Sequence, residues 1–160
     1  MKKHIVIAFV YALAAMACGV FYREFTKGFD FFAPTALGKV HTHLFLLGMV
    51  VFLLVALFDA RLGLQKDKLY KPFMGLYNAG VACASVMMLV RGILQVTGVS
   101  LSSGADAGVS GVAGIGHAVT AIGLIVLFVM LIRRARADKI PAGMEQSAEN
   151  GESGGGFQTE

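Results

Sequence analysis

The side chains in this chain that could carry chemistry are three histidines, His41, His43 and His117, and two arginines, Arg23 and Arg91. All five fall inside or at the edge of long apolar stretches. There an ionisable group costs roughly 3 kcal/mol or more and by default marks function. A neutral imidazole ligates iron and other transition metals, and the planar fork of arginine grips carboxylates two bonds at a time. The spacing adds to this. His41 and His43 open the second apolar stretch, His117 opens the fourth, Arg23 closes the first and Arg91 nears the end of the third. If consecutive stretches cross a membrane in alternating directions, all five groups lie at a similar depth on one side. That is the arrangement of a haem or metal site in a small membrane bundle.

Composition supports such a bundle. Of the 160 residues only 15% are charged and 56% are hydrophobic, where a soluble domain carries roughly 25% charged residues. The mean hydropathy of +0.70 points the same way. The net charge of +4 comes from Lys and Arg clustered beside the apolar stretches, so no nucleic-acid partner is expected. Cys18 and Cys83 sit in separate apolar segments without CxxC or zinc spacing, and read as small packing residues. Met1-Lys2-Lys3 before an apolar run resembles a secretory signal, and Ala15-Met16-Ala17-Cys18 faintly a lipoprotein cleavage site. The run continues through Tyr22, which favours an uncleaved helix.

Four helices are expected, over residues 5–22, 35–58, 72–96 and 105–135, each near the ~20 residues that a bilayer core requires. Pro34 and Thr35 mark the start of the second, Pro72 suits the first turn of the third, and Ser103 with Asp106 has capping-box spacing for the fourth. The fold class is all-α: an integral membrane up-down four-helix bundle over residues 1–136, followed by a disordered cytoplasmic tail over 137–160 rich in Gly, Ser and Glu. Lys2 and Lys3, then Arg61, Lys66, Lys68 and Lys71, then Arg133, Arg134 and Arg136 flank the helices, while residues 97–112 carry no Lys or Arg. By the positive-inside rule both termini are cytoplasmic, in a bacterial inner membrane. Arg23, Lys27 and Lys39 run against that rule, which suggests another task for them.

His43 lies 16 residues from Asp59, and His117 lies 16 from Arg133. Both therefore stand about 24 Å above the inner boundary, with the two arginines about 30 Å above it. Gly38-Lys39-Val40-His41 parallels Gly114-Ile115-Gly116-His117, and the end of helix one parallels that of helix three. A two-plus-two internal duplication would make helices two and four diagonal partners and set His41 opposite His117. His41 and His43 are about 200° apart on a helix, so only one of them can face the core. The face of His41 continues through Gly48, where the missing side chain would leave space for a flat macrocycle. Haem b with His41 and His117 as axial ligands, and His43 as the alternative on helix two, is the sharpest reading. Arg23, Arg91 and Lys39 would take the propionates. Of the remaining polar groups, Gln95 would brace Arg91, His4 would be a bystander, and Tyr22, Tyr70 and Tyr77 would be interfacial anchors.

His41-Thr42-His43-Leu44-Phe45-Leu46-Leu47-Gly48 resembles the second-helix histidine motif of haem-copper oxidase and nitric oxide reductase large subunits, in which a histidine ligates low-spin haem b. The resemblance implies that role for His41. It spans about one helix, and the copper-site histidines of those enzymes have no counterpart here. The region from Ile5 to Ala135 also resembles an uncharacterised family of small bacterial four-helix membrane proteins. It does so through Phe21-Tyr22-Arg23-Glu24-Phe25, the His41 segment, residues 88–95 and Gly114-Ile115-Gly116-His117. The expected function is a small cytochrome-b-like protein in electron transfer, quinone exchange or sensing of a diatomic gas, with a quinone or a redox protein as partner and homo-oligomerisation left open. Two alternatives stand beside it: metal binding or transport through His41, His43 and His117, or an accessory membrane subunit whose histidines only join helices.

Overall fold

The computed structural model describes the backbone of residues 2–152 and side chains as far as Ala137. Four long helices dominate the described residues, with no strand among them: α1 (Lys2–Gly28), α2 (Leu37–Leu62), α3 (Tyr70–Thr97) and α4 (Ser103–Glu152), and a short 3-10 turn, Leu64–Lys66, follows α2. All four are long and apolar enough to cross a membrane. They run past the expected ends because polar caps and interfacial residues continue the helix, except that α2 begins at Leu37, two residues after the expected Thr35, with Ala36 as its N-cap. The expected tail beyond residue 137 falls where side chains lie outside the described set.

Local chemistry sets the breaks. Gly63, at φ 62°, takes the left-handed conformation that closes α2, and its N–H caps Asp59 O. Gly98, at φ 68°, does the same for α3. Ser102, rather than Ser103, caps α4: its hydroxyl accepts from the Ala105 N–H at 3.4 Å. Pro72 sits in the first turn of α3, where its missing N–H costs nothing.

Small residues bring α3 and α4 together. A Cβ on Gly80 would stand 2.5 Å from Thr120 N, and one on Gly116 2.8 Å from Ala84 N. This is close helix approach of the kind that packs membrane proteins, where lipid is as apolar as the helices and contact must come from fit. Tyr22 against Gly38, Gly19 against His41 and Tyr11 against Gly48 pair α1 with α2 in opposite chain directions. Phe52 is the centre of the core. It is fully buried, stacked on Tyr11 at 5.8 Å and packed against Phe73 and Tyr77. Tyr77 is therefore a core residue and not an interfacial anchor. It is fully buried and its hydroxyl donates to Leu47 O at 2.8 Å.

At the loop end of the core, His4 is also fully buried. Its Nε2 lies 2.8 Å from the Tyr70 hydroxyl, and its Nδ1 3.6 Å from Asp59, which in turn accepts from the Gln65 N–H and side-chain amide. His4 thus joins three elements, against the expectation of a bystander. Arg134 ties α4 to the same end of α2 by donating twice to Leu62 O, at 2.9 and 2.7 Å.

Candidate functional site

α2 is not a regular helix. Leu44–Val50 forms a π-helical turn, directly after His43. Such turns add one residue to an α-helix and rotate everything before them by about 100°. Continued upward from Phe52 as a plain α-helix, His41 would point into the core with Phe52, and His43 would point the opposite way, toward lipid. The extra residue moves both. Leu37, Val40 and Leu44 come into line with Phe52, Ala56 and Asp59 as the buried face. His41 swings toward α1, and His43 swings to the side of α4. The Tyr77 hydroxyl bonds to a carbonyl inside this turn and holds it.

The consequence is visible in the neighbours. His41 stacks on Tyr22, with ring centres 6.4 Å apart, and lies against Gly19. Its Nδ1 is buried without a hydrogen-bond partner. His43 instead faces His117, with ring centres 6.1 Å apart and ring planes at 85°. Upstream of Val51, α2 packs on α1 and α3, and it meets α4 chiefly along Val51–Leu62. Above that seam the two helices part, and a cavity of about 540 Å³ opens between them. His43, His117, Lys39, Arg91, Thr35 and Gln95 line it, with Pro34, Ala36, Met88 and Ala113.

Both cavity histidines are held in the same way. His43 Nδ1 is 3.0 Å from Lys39 O, and His117 Nδ1 is 2.8 Å from Ala113 O, each one turn back on its own helix. A carbonyl can only accept, so Nδ1 carries the proton and the distal Nε2 of each ring keeps its lone pair. That is the tautomer a metal ligand needs. Two imidazoles on opposite sides of one metal at the usual ~2.0–2.1 Å bond length have ring centres roughly 6.4 Å apart. The observed 6.1 Å is close to that separation. Among the described residues no three His, Cys, Asp or Glu side chains are grouped as a metal site, and His41 is placed apart from the pair His43 and His117. Two facing imidazoles are fewer than the three or four protein ligands that a bare ion takes.

The rim is cationic. Arg91 donates to Ser110 Oγ at 2.6 Å and lies 3.5 Å from Asp106, so both α4 partners fix it beside the cavity. Gln95 does not brace Arg91. It accepts the Ala36 N–H at 2.8 Å and so caps the start of α2. Thr35 is 6% exposed, and its hydroxyl has no partner. An unpaired buried hydroxyl costs about 1–3 kcal/mol. Two expected contributors lie elsewhere. Arg23 has 83% of its side chain exposed and lies 3.9 Å from Glu24, away from the cavity. The space above Gly48 is filled by the Tyr11 ring, so it holds no macrocycle.

No curated protein and no solved structure matches the chain. A family model does match, over residues 1–134, which takes in α1 to α3 and the apolar part of α4 as far as Arg134. The chain belongs to the family described as a protein of unknown function, DUF2871.

Proposed function

We propose that this protein is a small membrane cytochrome that holds haem b in the cleft between α2 and α4, with His43 and His117 as axial ligands. The observation that carries the reading is the pair itself: two imidazoles 6.1 Å apart across a cavity, each with Nδ1 bonded to its own helix. The cavity volume of about 540 Å³ lies in the range of cofactor sites, roughly 300–1,000 Å³. Arg91 and Lys39 at the rim suit the two propionates of such a group. The bound group would supply one-electron redox chemistry. The chain's own part is to fix both tautomers, neutralise the carboxylates and shield the site with apolar helix faces. With both His43 and His117 as ligands, the group would supply electron transfer rather than binding of a diatomic gas.

The proposal includes the setting. The four helices cross the bacterial inner membrane up and down, with both termini cytoplasmic and the cleft near the outer face, as the basic flanks suggest. Absorbance spectra of the detergent-purified protein, oxidised and dithionite-reduced, test the cofactor. A Soret band with sharp reduced α and β bands is expected. Protein that expresses normally in haem-replete cells and has no Soret band would refute it and leave the histidines as helix-joining groups. A reporter fused at Ser102 should be active only outside the cytoplasm. A cytoplasmic signal there would overturn the orientation.

A further inference from the structure

A second cavity, of about 260 Å³, lies where α3 turns into α4, between the last turns of α3, the loop over 98–102 and the first turns of α4. It adjoins the histidine cleft. Arg91 and Gln95 border both spaces, and Val109 on its wall is one turn before Ala113 on the wall of the cleft. Leu94, Val99, Leu101 and Val109 make its apolar surface. Its polar groups are open to an occupant, since the Arg91 side chain is 40% exposed and that of Asp106 59%. Arg91 donates to Ser110 Oγ at 2.6 Å and lies 3.5 Å from one Asp106 carboxylate oxygen, which holds that carboxylate in place. The second oxygen of Asp106 can still accept. Gln95 gives its side-chain oxygen to the Ala36 N–H at 2.8 Å, so its amide N–H groups are the ones left to donate.

We infer that this cavity binds a dihydroxylated aromatic ring of the hydroquinone class, with one ring hydroxyl donating to the Asp106 carboxylate and another ring oxygen accepting from the Gln95 amide. Charge, size and shape select that class. Arg91 and Asp106 set one charge of each sign on the wall, so a charged ligand of either sign meets its like. A neutral molecule with both a donor and an acceptor meets neither penalty. A cavity of about 150 Å³ takes a benzene ring, so 260 Å³ takes one substituted six-membered ring. The four apolar side chains suit the faces of a flat ring, whereas a sugar of the same size would leave hydroxyls without partners against them. The binding does not rest on the haem reading. Only the use of such a ring as a source of electrons for the adjoining cleft does.

Anaerobic equilibrium dialysis of the full-length, detergent-solubilised protein tests the inference, with trimethylhydroquinone and its oxidised form, trimethylbenzoquinone, as probes. One hydroquinone per chain is expected. It should bind at least tenfold more tightly than the quinone, because only the reduced ring has a hydrogen to donate to the charged Asp106. Asp106→Leu should lose that preference, and Leu94→Trp, which fills the cavity, should abolish binding of both forms. Circular dichroism of each variant checks folding. No saturable binding by the parent protein overturns the inference. So does equal affinity for the two forms, a preference that survives in Asp106→Leu, or binding that persists in Leu94→Trp. Trimethylhydroquinone carrying a decyl tail, corrected for its partition into empty micelles, distinguishes the sources. Tighter binding than the tail-free ring indicates a membrane quinol and weaker binding a soluble phenol, and either supports the ring site. A Soret spectrum of the same samples separates this site from the haem. Hydroquinone binding without a Soret band removes the haem and leaves the ring site, and a Soret band without hydroquinone binding does the reverse.

Discussion

Alanine at each of the three histidines separates the two candidate ligands on α2. His41 and His43 are about 200° apart around the helix. On a cylinder of ~5–6 Å radius their ring nitrogens are therefore roughly 11 Å apart. A metal–imidazole bond is ~2 Å, so His41, stacked on Tyr22, is several times too far away to replace a lost His43. His117→Ala and His43→Ala should each remove the six-coordinate low-spin spectrum. Each should also lower haem retention at least tenfold, because a lost ligand bond exceeds the ~1.4 kcal/mol that tenfold represents. His41→Ala should keep the spectrum. The assay is absorbance and low-temperature electron paramagnetic resonance on matched, detergent-purified samples, with haem-to-protein ratio from the pyridine haemochrome. A low-spin signal that survives in His43→Ala and vanishes in His41→Ala would refute the argument from the π-turn and return the site to the motif histidine.

Three further outcomes are expected. Arg91→Leu should keep the low-spin spectrum but shift the midpoint potential or weaken haem retention, while Arg23→Leu, which alters an exposed side chain, should change neither; redox titration checks both. Deletion of Leu46, an exposed residue inside the π-turn, should restore a regular helix and turn His43 about 100° away from α4. The spectrum should then be lost at unchanged helix content, and a deletion variant that retains it would show that the turn does not aim His43. Phe52→Ala should destabilise the bundle by about 3 kcal/mol, the low end for such a truncation, since lipid is itself apolar and mainly packing is lost. Unfolding in a mixed-micelle SDS titration measures it.

Much of the site was legible from residue types. Ionisable groups are rare in apolar helices, so His43, His117, Lys39 and Arg91 stand out in the sequence, and the structure gathers all four around one cavity. His4 was harder to read. It lies three residues after the start of the chain, like any interfacial polar group, and only the fold brings Tyr70 and Asp59 to it. The acidic Asp59 at the end of an apolar helix was the available signal. Ser85 and Thr35 are visible in the sequence as polar residues, but that their hydroxyls go unpaired is not. Whether a hydroxyl is orphaned depends on what the neighbouring helices offer it, which no local pattern records.

The family assignment, the four apolar helices and the capping glycines follow from the order of residues alone. Length, hydropathy and backbone propensity are local properties, and each segment carries its own. Which histidine faces the cleft is a different kind of fact. Val40, Leu44, Gly48, Phe52 and Ala56 are all buried at a spacing of four. A plain α-helix drifts about 40° per such step and would carry them off one face. The spacing hints at an extra residue, but nearly every neighbour is apolar too, so the pattern does not stand out from its background. Packing of Leu37, Val40 and Leu44 against α1 and α3, with Tyr77 holding Leu47 O, stabilises the π-turn. That tertiary choice sends His41 to Tyr22 and His43 to His117, because a helix can gain a residue only where its neighbours hold it there.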